Sequence, residues 1–196
     1  FDMIKIQMEE LDGEFPIKNF TDILDQAMKN ASSRDIYDPV NFSRRSFNKG
    51  KKDRIKRAAI EDVARQMAAV CHRSTYRAPG TCVADNIDFE VEKLINGKMS
   101  GIAIVDCFDT LFGFALFYAE EDNVRIDLIC TKEYKEEYEG ELSLFRRLMA
   151  KVFHISANVQ CGIVLDAAGA RLTTTYSKPA YGGFRMSEDP EMIANA

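Results

Sequence analysis

Histidine is scarce in this 196-residue chain, with only two, and His72 and His154 are too far apart to form a metal-ligand pair by spacing. The five cysteines, Cys71, Cys82, Cys107, Cys130 and Cys161, are odd in number and contain no C-x-x-C pair. They indicate neither a disulfide framework nor a zinc site, so no metal is expected. Cys107, Cys130 and Cys161 fall in apolar, strand-like contexts, where a thiol is expected to pack as a small hydrophobe. No apolar run approaches the roughly 20 residues that span a bilayer, and the opening Phe1-Asp-Met-Ile-Lys lacks the regions of a signal peptide. A soluble protein of a reducing, cytoplasmic compartment is therefore expected, with no membrane partner. Walker loop, dinucleotide fingerprint, metalloprotease helix, internal repeat and low-complexity tract are all absent. The net charge of −5 gives no general push toward nucleic acid.

What is present is a 46% hydrophobic composition, enough to bury one sizeable core. A single compact domain over residues 1–196 is expected. Ile4, Ile6 and Met8 alternate with Lys5 and Gln7, the period of a half-buried strand. Ile23, Leu24, Ala27 and Met28 form one stripe of a helix starting near Thr21. Pro39, Gly50 and several serines make residues 38–52 a loop or mobile segment. Ile60, Val63, Met67, Val70 and Cys71 mark a helix over residues 53–72, and Phe89, Val91, Leu94 and Ile95 a short one closed by Gly97.

The second half alternates more clearly. Residues 101–105, 111–118 and 124–130 read as an antiparallel meander. Leu142, Phe145, Leu148, Met149, Val152 and Phe153 line a helix, and residues 161–165 form an apolar strand. A strand, helix and strand in that order give a right-handed parallel crossover. Residues 170–176 suggest a further helix and residues 183–186 a last strand. The acidic tail over residues 187–196 is expected to fray. The fold class is α/β, of the α+β kind, with a mostly antiparallel sheet flanked by helices.

The strand beginning Leu111-Phe-Gly-Phe-Ala, the strand 124–130, the long helix after it and the Tyr176-Ser-Lys plus Gly183-Phe184 ending together resemble the GNAT acetyltransferase superfamily. The match covers roughly the last half of the chain. The resemblance implies a sheet splayed between its central strands, with acetyl-CoA wedged in the opening along Leu128, Ile129 and Cys130. It also implies a pyrophosphate loop, which falls on Lys135, Glu136, Glu137, Tyr138, Glu139 and Gly140. Lys135 stands for the basic member and Gly140 for the last small residue, but Tyr138 replaces the central glycine, where backbone N–H groups approach phosphate. Glu133, Glu136, Glu137, Glu139 and Glu141 oppose only Lys132 and Lys135 in and beside this loop. Two like charges about 6 Å apart at an effective dielectric near 20 repel by roughly 3 kcal/mol before screening, which works against an anionic coenzyme. The same glutamates can instead satisfy a helix N-terminus. By the same resemblance Tyr176 is the proton donor to a CoA thiolate, with Tyr181 as competitor, and Asp127 helps a water deprotonate the amine. Packing accounts for Tyr176, and an outward strand position for Asp127, more simply.

Residues 43–57 carry eight basic side chains, among them Arg44, Arg45, Lys49, Lys51 and Lys52, against the single acid Asp53. Phe47 lies among them and Phe42 just before. A basic, aromatic loop can bind nucleic acid or an acidic protein, and it can also be only a solvated loop. Two readings of the whole follow: an N-acetyltransferase moving acetyl from acetyl-CoA to an amine, or a non-catalytic GNAT-fold binding or structural component of a viral or other assembly.

Overall fold

The computed structural model of the chain describes residues 16–34, 44–72, 87–132, 144–166, 170–179, 182–186 and 192–195. The helices are α1 (Phe20–Arg34), α2 (Arg44–His72), α3 (Ile87–Ile95), α4 (Leu144–Asn158) and α5 (Ala170–Ser177). The strands are β1 (Ile17–Asn19), β2 (Ser100–Val105), β3 (Leu111–Glu120), β4 (Asn123–Thr131), β5 (Gly162–Leu165), β6 (Arg185–Met186) and β7 (Met192–Asn195). They form one sheet in the order β1-β2-β3-β4-β5-β7-β6. Every neighbouring pair is antiparallel except β4 and β5, which the α4 crossover makes parallel.

Apolar residues on both sheet faces demand cover on both. On one face α1, α2 and α3 lay Phe20, Met67 and Val91 over Phe114 and Leu116. On the other, α4 lays Leu148 and Phe153 over Ile102, Ala115 and Ile163, with Tyr176 and Phe184 closing the cluster. The stripe of α1 is buried as its spacing requires, through Ile23, Leu24 and Ala27. Gly97 takes φ +71° while Lys98 N–H donates to the carbonyl of Lys93 at 2.9 Å, the glycine stop that ends α3.

Four expectations change. The segment read as a loop over 38–57 is helical from Arg44 onward, so Arg44, Arg45, Lys49, Lys51 and Lys52 lie in the first half of α2. Apart from Gly50, nothing from 44 to 72 breaks a helix, and Arg and Lys favour one. Its basic run shows no apolar period, and among the described side chains of α2 full burial starts at Ala59, with Ile55 partly buried against the core before it. The tail read as frayed over 187–196 contains β7, inserted between β5 and β6 with Met192 and Ala194 buried. Cys107 is exposed in the β2–β3 turn rather than buried in a strand. Phe89 is 59% exposed, and Ile87 takes the core position on α3. The strand expected around Ile4 to Met8 lies outside the described residues.

At Gly101 the start of α1 comes close against the sheet. A Cβ there would sit 2.9 Å from Phe20 Cβ and 3.0 Å from Leu116 Cδ2, both held in the core. Gly101→Ala is expected to destabilise the fold by ~1–3 kcal/mol through overpacking, seen as a lower urea midpoint at unchanged slope.

Candidate active site at the bulge of the central strand

The β3–β4 ladder slips once. Leu116 pairs with Leu128 but Phe117 pairs with Ile126, so Asp127 is the extra residue of a β-bulge. A strand alternates faces strictly unless a residue is inserted. Before the bulge Val124 and Ile126 face the α4 core, and after it Leu128 and Cys130 face the α1–α3 core. Beside the bulge the sheet also parts. β5 pairs with Asn123, Val124, Arg125 and Ile126 and ends there. Among the described residues, 127–131 of β4 therefore have a strand neighbour only on the β3 side.

Asp127, freed from the ladder, meets Glu90 of α3. Burial first, then hydrogen bonding and repulsion from Asp127, raise the Glu90 carboxyl from the ordinary 4.5 to about 7 against the pull of Lys93. Lys93 Nζ stands 3.5 Å from Glu90 Oε1. Glu90 Oε2 is buried without a hydrogen-bond partner among the described residues. Tyr118 completes the cluster. Burial first, then the Glu120 carboxylate, raises its phenol above the ordinary range, so it stays a donor at neutral pH. Arg125 joins Glu120 on β3 and reaches Asp166 after β5 at 3.5 Å, fastening this edge of the site.

Tyr176 sits elsewhere. It is the next-to-last residue of α5 and lies in the α4 core, 5% exposed, with ring centroids 5.7 Å from Phe145 and 5.9 Å from Phe184. The structure thus brings Asp127 together with Glu90, Lys93 and Tyr118, and places Tyr176 in the core of the other sheet face. Leu128, Ile129 and Cys130 fall on the half of β4 beyond β5. Lys135, Tyr138, Gly140 and Tyr181 lie outside the described residues. Glu90 and Tyr118 were missed by sequence reasoning. The one available signal was Glu90 on the side of a short helix otherwise lined by Ile87, Val91 and Leu94. Among the described residues no group of three or more His, Cys, Asp and Glu is placed to hold a metal, and no helix is long and apolar enough to cross a membrane.

No protein-family model matches the sequence, and neither does any curated protein. Solved structures do. A protein described as a GNAT-family acetyltransferase from Desulfovibrio desulfuricans superposes with TM-score 0.51 at 17% identity, over 67% of this chain and 90% of that one. The PaiA N-acetyltransferase of Thermoplasma acidophilum, solved with coenzyme A, gives TM-score 0.48 at 15% identity, over 70% of this chain and 94% of that one. The fold is that of the GNAT N-acetyltransferase superfamily, on the strength of the first likeness and of the mixed, mostly antiparallel sheet.

Folding takes up a proton at Glu90, because its carboxyl is harder to ionise when folded. The stabilisation is complete below about pH 4.5 and is lost as the pH rises through about 7. Glu90→Gln, which mimics the protonated form, is expected to flatten this fall and to gain ~1–2 kcal/mol on wild type above neutrality. Urea denaturation across that pH range reads it directly.

Proposed function

We propose that this chain is an N-acyltransferase that moves an acetyl group from acetyl-CoA to an amine. One observation carries the reading: β4 leaves its β5 neighbour at Ile126, and the Glu90 carboxyl, raised to about 7 by burial and by Asp127, stands at that same bulge. The backbone of Leu128, Ile129 and Cys130 suits an extended, amide-bearing ligand, since a strand edge binds such groups by main-chain hydrogen bonds. Lys135, Tyr138 and Gly140 are the sequence candidates for its phosphate end. When bound, acetyl-CoA supplies an acyl group activated as a thioester.

The chain's own groups handle the protons. An amine attacks only when neutral, so an acceptor near pH 7 is needed. The Glu90–Asp127 pair provides one, with a carboxyl poised at about 7. Tyr118 Oη, kept protonated, can hold the carbonyl or amine partner by donating a hydrogen bond. Tyr176 Oη is the candidate acid for the leaving group, its ring fixed by Phe145 and Phe184.

The packing of Tyr176 also favours a second reading, a GNAT-fold binding or structural protein without catalysis. Core burial accounts for that ring without any chemistry, and Tyr138 takes the place of the phosphate-loop glycine. In either reading the basic half of α2, with Arg44, Arg45, Lys49, Lys51 and Lys52, is the proposed surface for an acidic protein or nucleic acid. Lys52, Lys56 and Arg57 are exposed there.

Calorimetric titration with acetyl-CoA and CoA decides between the readings. Saturable binding of micromolar order is expected, and no heat at millimolar ligand with folded protein would leave the non-catalytic reading. If the chain is active, Asp127→Asn is expected to lower kcat/KM for the amine ~10²–10⁴-fold, with the KM for acetyl-CoA little changed. Lys51→Glu combined with Lys52→Glu is expected to weaken binding to single-stranded DNA or polyglutamate and to reduce its salt dependence; unchanged binding over a salt series dismisses the α2 surface.

A further inference from the structure

The sulfurs of Cys71 and Cys130 lie 2.8 Å apart, although the two residues are separated by 59 positions in sequence. Ordinary nonbonded carbon contacts lie at about 3.5–4.0 Å, and a disulfide bond measures ~2.05 Å, so less than about 1 Å of approach separates this pair from bonding. Neither is in a disulfide, and both are buried, at 4% and 7% exposure. They bridge two elements that already pack together: Cys71 is the next-to-last residue of α2, and Cys130 faces the α1–α3 core from β4. Cys107, by contrast, is exposed in a turn, and Cys161 lies half-buried just before β5, its Sγ 3.5 Å from the carbonyl of Val159.

We propose that Cys71 and Cys130 are a redox pair, closing into an intrachain disulfide that fastens the last turn of α2 to β4. The oxidant is a small disulfide such as oxidised glutathione. Helix ends open locally more readily than central strands, so Cys71 reacts first. Its thiolate attacks one glutathione sulfur and releases one glutathione thiolate, leaving a mixed disulfide on Cys71. When the turn recloses, the Cys130 sulfur loses its proton, attacks the Cys71 sulfur and releases the second glutathione. Two protein thiols are oxidised to one disulfide, and one glutathione disulfide is reduced to two thiols. The bond closes on the strand half that has no β5 neighbour, so it holds α2 against β4 where the sheet gives least support.

The full chain is incubated with oxidised glutathione, quenched in acid, denatured, alkylated and digested for mass spectrometry. A peptide pair joined through Cys71 and Cys130 is expected, with the intact chain lighter by two hydrogens and its melting temperature ~5–10 °C higher than after dithiothreitol. Cys71→Ala and Cys130→Ala should each remove the cross-link and the shift, and Cys107→Ser should remove neither. Alkylation of both Cys71 and Cys130 while Cys107 carries glutathione would overturn the proposal. A cross-link of either residue to a different cysteine would overturn it as well. Neither outcome depends on coenzyme binding.

Discussion

One inserted residue in β4 organises both cores and the site. With Asp127 in the ladder, Val124 and Ile126 would share a face with Leu128 and Cys130, and one core would lose its contribution from the strand. The bulge reverses the alternation halfway along, so the first half of β4 serves the α4 side and the second half the helices α1 to α3. Asp127, released from the ladder, becomes available to Glu90.

The departure of β5 sits beside the same point. A parallel strand that continued past Ile126 would satisfy the rest of β4 and leave a closed sheet. Because it stops, a row of main-chain groups faces away from β3 next to the Glu90 carboxyl, raised to about 7. Sheet architecture and proton chemistry are thus coupled through one backbone irregularity. The two ion pairs of Arg125, to Glu120 and to Asp166, hold the β3, β4 and β5 ends around it.

The two tyrosines at issue divide by surroundings rather than by chemistry. Tyr118 lies at the rim, in the field of Glu120, Arg125, Asp127 and Lys93, where a phenol can meet a ligand. Tyr176 lies among Phe145 and Phe184, where its ring completes a core whose removal would leave a cavity. A phenol's reactivity depends on which of these environments it occupies, and residue type does not reveal that.

Local pattern alone gave the meander, the α4 crossover and the stripes of α1 and α2, because burial on one face writes a period into the chain. The same pattern carried the likeness to the GNAT fold. It misjudged the basic half of α2, since a run of Arg and Lys has no apolar period to show, and it missed β7, whose partner β5 lies well before it in sequence. Glu90 beside Asp127, Cys71 beside Cys130 and the face reversal along β4 are decided only by the tertiary structure. Each is a meeting of residues from separate elements or a slip of register against a neighbouring strand, and sequence spacing encodes neither.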